Sequence, residues 1–178
     1  GRLLPKYKGN YQAHPVGYWQ DEFPIAADFD LDCIEFILDY YNCEKNPLMT
    51  LDGLNKIKSI SYETGVRVLS ICADYFMEAP LHSDDEKITI HSIKVLTKLL
   101  KASHELGVEN IVIPCVDQSS IQNEMLRDKF MEVLISIIPQ AEQYKVNISL
   151  ETDLNPLQFE LLLTTLSSPF IKVNYDIG

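Results

Sequence analysis

Residues 146–153 read Val146-Asn147-Ile148-Ser149-Leu150-Glu151-Thr152-Asp153, a short apolar run that ends in acidic residues. A near-continuous run of this kind is a strand covered on both faces, and such strands belong to parallel sheets. On its N-terminal side Leu126, Phe130, Val133, Leu134, Ile137 and Ala141 recur at helical spacing. Pro139 interrupts that stretch and is expected to kink the helix or end it early. On the C-terminal side Pro156 opens a further helix in the favoured first turn, with Leu157, Leu161 and Leu162 on the expected inner face. The strand Ile171-Lys172-Val173-Asn174-Tyr175-Asp176 follows.

The same alternation extends upstream. Strands are expected near residues 33–38, 66–73 and 110–115, in addition to 146–151 and 171–176. Between them lie helices bearing Leu51, Leu54, Ile57 and Ile60, then Ile93, Leu96, Leu100 and Leu106, closed by Gly65 and Gly107 respectively. Strand, helix, strand without hairpin signals means parallel strands joined by right-handed crossovers. An open doubly wound sheet and a closed barrel both satisfy that pattern. No GxGxxG or GxxxxGK[ST] follows any strand, which removes most support for a nucleotide-binding domain. Repeat length and polar strand ends favour the barrel.

A full (β/α)8 TIM barrel takes about 250 residues. The expectation for 1–178 is therefore a single partial TIM-barrel domain, lacking the first strand and the last two βα units. Gly1 to Gln20 reads as a long loop on the catalytic face, before a helix around Phe23-Pro24-Ile25-Ala26-Ala27. Edge strands of such a partial sheet are exposed unless covered, which leaves room for a homo-oligomer.

Net charge is −11, from 15 Lys and Arg against 26 Asp and Glu, the wrong balance for tracking nucleic-acid phosphates. No apolar stretch approaches the roughly 18 residues of a membrane span. Cys33, Cys43, Cys72 and Cys115 form no CxxC pair and read as reduced thiols in a cytoplasmic protein.

Acidic residues gather at strand ends: Glu35, Asp74, Asp117, Glu151 with Asp153, and Asp176. Asp153 reads as a helix N-cap. Glu151 continues an apolar strand directly, so its carboxylate should point into the barrel mouth, and Asp176 occupies the same position on the next strand. Converging carboxylates repel unless a proton or cation lies between them. Carboxylate oxygens suit Mg²⁺ or Mn²⁺, and Zn²⁺ if His joins them.

Six short stretches carry a resemblance. Gly1-Arg2-Leu3-Leu4-Pro5 looks like the "QGRL" stretch that follows the first strand of the xylose-isomerase-like sugar phosphate isomerase/epimerase family, and Cys33-Ile34-Glu35-Phe36 resembles its second-strand "IE" motif. Ser70-Ile71-Cys72-Ala73-Asp74 and Ala79-Pro80-Leu81-His82-Ser83-Asp84-Asp85 are similar to the third strand and loop of hexulose- and pentulose-phosphate enzymes. Leu150-Glu151-Thr152-Asp153 and Asn174-Tyr175-Asp176-Ile177-Gly178 resemble the segments that hold the metal glutamate and aspartate.

The resemblance implies a metal-dependent enzyme that moves a proton beside the carbonyl of a sugar or sugar phosphate through an enediolate. Glu151 would ligate the metal and shuttle the proton, and Asp176 would be the second ligand. A seventh-strand His and an eighth-strand Glu would complete the site, and neither region falls within 1–178. Glu35, Asp74 and His82 are expected to touch substrate. His14 and the pair Tyr18 and Trp19 are weaker candidates for the same wall. Alternatives are an inosose-type dehydratase and a non-catalytic sugar-binding barrel. An apurinic-site endonuclease would need extra His at strand ends that here carry Asp74 and Asp117.

Overall fold

The computed structural model describes residues 3–176. Gly1-Arg2 of the opening motif and Ile177-Gly178 of the closing one lie outside the described residues. All five expected strands form: β1 Cys33–Ile37, β2 Arg67–Cys72, β3 Asn110–Cys115, β4 Asn147–Thr152 and β5 Ile171–Val173. They make one sheet in the order β1-β2-β3-β4-β5, each neighbouring pair parallel. Sequential order with no reversal is the order of a barrel wall, whereas a doubly wound sheet turns back at a switch point.

Helices α1 Glu22–Asp28, α2 Leu51–Thr64, α3 Tyr75–Glu78, α4 Glu86–Leu106, α5 Glu124–Tyr144 and α6 Pro156–Leu166 connect or precede the strands. Gly65 and Gly107 end α2 and α4 at φ +76° and +74°, where a β-carbon would be strained. One face of every strand packs on helices. Ile34, Phe36, Ile71, Ile111, Ile113, Ile148 and Leu150 are buried there with Leu96, Leu99, Phe130 and Leu134. At about 25 cal/mol per Å² of apolar surface removed from water, this layer is the main source of stability.

Several local expectations fail for physical reasons. Helix α5 runs through Pro139 without ending. Phe130, Leu134, Ile137 and Ala141 bury one face, while Pro139 lies on the solvent side, where water can reach the carbonyl its ring frees. In α6 the buried residues are Leu162 and Leu166, and Leu157 and Leu161 are largely exposed, so the inner face is rotated from the one expected. Leu51 at the start of α2 is also exposed. Strand β5 stops at Val173, although the backbone N–H of Asn174 still donates to Leu150 O at 2.8 Å. Asn155, not Asp153, caps α6, through a reciprocal capping box with Gln158.

Candidate active site

The second face of the sheet is concave and lined by alternate residues. Glu35 of β1, Cys72 of β2, Val112 and Pro114 of β3, Glu151 of β4 and Asn174 just past β5 border one cavity of about 780 Å³. Strand alternation produces this set: Ile34 and Phe36, or Ile148 and Leu150, face the helices, so Glu35 and Glu151 face the hollow. A bulge at Ile34/Glu35 skips one residue of β2 and sets Glu35 opposite Ser70. There Ser70 Oγ donates to Glu35 Oε2 at 2.7 Å.

Glu151 is half-buried at the mouth of β4. Leu150 pairs with Val173, which places Glu151 beside Asn174, and Asn174 Nδ2 donates to Glu151 Oε2 at 2.8 Å. Burial pushes the Glu151 carboxyl above its ordinary range, Asn174 pulls it back, and Asp176, Asp74 and Glu35 push it up further. Asp176 borders the same cavity. Burial likewise raises Asp74, against hydrogen bonds from Cys72 Sγ at 3.0 Å and Gln12 Nε2 at 3.2 Å. Burial, then the adjacent Asp74, pushes the Cys72 thiol far up, so it stays a neutral donor.

The expected residues divide clearly. Glu35, Asp74, Glu151 and Asp176 share one wall, and His82 does not. His82 is buried edge-on to Phe130, ring centroids 5.7 Å apart, and does not border this cavity. Trp19 is core, edge-on to Phe23 and Phe36. Asn174, Ser70 and Gln12 carried no expectation of a role. Only the register of β5 on β4 reveals Asn174, and only the fold of the N-terminal loop brings in Gln12, 62 residues from Asp74.

Among the described residues no group of three or more His, Cys, Asp or Glu is arranged to hold a metal ion. The charge pattern still fits a cation. Among the described residues, Glu35, Asp74, Glu151 and Asp176 border this one cavity, and carboxylate oxygens suit a divalent cation.

A family model described as xylose isomerase-like TIM barrel matches residues 23–178. The chain belongs to this family. It is 25% identical to L-ribulose-5-phosphate 3-epimerase UlaE of Salmonella typhimurium, a match covering 94% of this chain and 62% of that protein. The chain thus spans somewhat under two thirds of the curated relatives it matches. Among solved structures it resembles D-psicose 3-epimerase with D-tagatose from Clostridium cellulolyticum, with a TM-score of 0.73, 18% identity, and coverage of 92% of this chain and 59% of that one. It also resembles a xylose isomerase-like TIM barrel protein from Mycobacterium smegmatis in complex with magnesium, with a TM-score of 0.70, 14% identity, and coverage of 96% and 60%. At these identities the structural likeness establishes the fold. No helix among the described residues is long and apolar enough to cross a membrane.

Proposed function

We propose that the protein carrying this chain is a metal-dependent sugar or sugar phosphate epimerase or isomerase, acting in the cytoplasm. Glu151 is its base and a metal ligand, and Asp176 is a second ligand. The observation that carries this reading is the raised carboxyl of Glu151, held by Asn174 on a wall it shares with Asp176, Asp74 and Glu35. A base works best when its pKa is lifted toward the working pH, and burial does that here. A divalent cation such as Mn²⁺ or Mg²⁺ would supply charge stabilisation for an enediolate forming on the substrate.

The chain's own residues do the rest. Asn174 fixes Oε2 of Glu151, leaving Oε1 to take the proton from the carbon beside the carbonyl. Asp74, steadied by Gln12 and Cys72, and Glu35, steadied by Ser70, accept hydrogen bonds from sugar hydroxyls. Return of the proton to the same carbon from the other side is epimerisation, and delivery to the neighbouring carbon is isomerisation.

The test is exchange of that proton with D₂O, followed by NMR on the full-length protein with Mn²⁺ or Mg²⁺. The panel is ketopentoses and ketohexoses, with and without a terminal phosphate. Deuterium incorporation supports the reading, and none from any member of the panel refutes it.

A further inference from the structure

A second cavity, of about 360 Å³, lies between the N-terminal loop and the loop after β1. Its size falls in the range of about 300–1,000 Å³ typical of small-molecule pockets. It borders Gln12, Asp74 and Met77, which also border the catalytic cavity, so the two spaces meet there. The loop that roofs it is anchored: His14 N–H donates to Asp39 at 2.7 Å, and Gln12 reaches Asp74.

We propose that this cavity is a second subsite for the substrate's far end, built for an uncharged polyhydroxylated group and not for a phosphate. The inference rests on the catalytic reading of the Glu151 wall and narrows it to free sugars.

Three features of the lining carry it. Tyr7, Tyr40 and Tyr41 offer aromatic faces for the C–H surfaces of a sugar, and Tyr40 packs edge-on to Tyr41 at 5.3 Å. Asn10, Asn42 and Gln118 bring amides, which both donate to and accept from hydroxyls. Among the described residues, the charges of the lining are Asp39, Asp74 and Glu78 against Lys8. His14 adds none near neutral pH, because burial lowers its pKa to about 4. Phosphate sites need paired cations or converging N–H groups. A dianion here would meet three carboxylates and one lysine, whereas hydroxyl groups would find acceptors.

Calorimetric titration of the full-length protein at low salt, with D-fructose and D-fructose 6-phosphate as probes, tests the subsite. Fructose should bind more than threefold tighter than its 6-phosphate. Tyr41→Ala, at a position 75% exposed and therefore safe for folding, should weaken fructose at least threefold. Glu78→Lys, also exposed, should narrow or reverse the preference. A 6-phosphate that binds within threefold of fructose, or better, overturns the proposal, as does a Tyr41→Ala variant with unchanged fructose affinity. Deuterium exchange on the same samples separates the two readings. The expected binding pattern without exchange sinks the enzyme and leaves the subsite, and exchange with a phosphate preference sinks the subsite alone.

Discussion

Asn174 Nδ2 donates a 2.8 Å hydrogen bond to Oε2 of Glu151, across the gap between β4 and the residue just past β5. The Leu150–Val173 pairing puts these two side chains next to each other on the hollow side. The amide stabilises the charged carboxylate while burial and three other acids oppose it. The balance leaves the Glu151 carboxyl above its ordinary range.

Removing that amide should show in the pH profile. In Asn174→Ala the carboxylate loses the contact that favours its charged form, so its pKa rises further. The acid limb of kcat/KM should move to higher pH, with activity on that limb falling while the plateau at higher pH is kept. Activity measured from pH 5 to 9 checks this. A profile that keeps its limb and falls uniformly would make Asn174 a packing residue only.

Asp176→Asn should act on the metal, not the proton. Its rate should fall at low Mn²⁺ and recover in part when Mn²⁺ is raised about a hundredfold, because mass action offsets a weakened ligand. Titration of activity against Mn²⁺ reads this, and a loss unaffected by metal would remove Asp176 from the ligand set.

His14 should make the fold acid-sensitive. Burial lowers its pKa from 6.5 to about 4, so the unfolded chain binds the proton more readily. Its contribution is therefore complete above pH 6.5 and is lost as pH falls toward and below 4. The full effect is on the order of 3 kcal/mol. His14→Phe, beside Phe36 and Trp19, should flatten the dependence of denaturation midpoint on pH between 6.5 and 4. An unchanged slope would place the acid sensitivity elsewhere.

Gly53 has no room for a methyl group. A β-carbon there would overlap the backbone of Pro47, which the first turn of α2 packs against. Backbone cannot swing aside as a side-chain tip can, so Gly53→Ala should cost about 1–3 kcal/mol or more. Urea unfolding measures it, and a neutral substitution would contradict the close approach of α2 to the Pro47 turn.

Repetition made the fold legible. Each strand is a short apolar run and Gly65 and Gly107 stand where α2 and α4 must stop, so five parallel strands could be placed from the sequence with boundaries good to a few residues. Glu35, Asp74, Glu151 and Asp176 were visible for the same reason, because strand ends point to one rim. What depends on long-range packing was not legible. Position in a loop gave no sign that His82 would bury itself against Phe130. The orientation of α6 depends on which of its leucines meet α5 and the sheet, and a helix rich in leucine on several sides does not declare that face. Gln12, Asn174 and the second cavity arise from contacts between segments distant in sequence, which no local spacing reports.

If Glu151 removes a proton from the carbon beside a sugar carbonyl, solvent deuterium exchange should separate wild type from Glu151→Gln, both full length, with saturating Mn²⁺ and the ketose that wild type exchanges fastest. Wild type should incorporate deuterium, and the variant should lose about 10²–10⁴-fold of that rate, unrelieved by further metal. A Glu151→Gln protein that exchanges at the wild-type rate would contradict that role for Glu151.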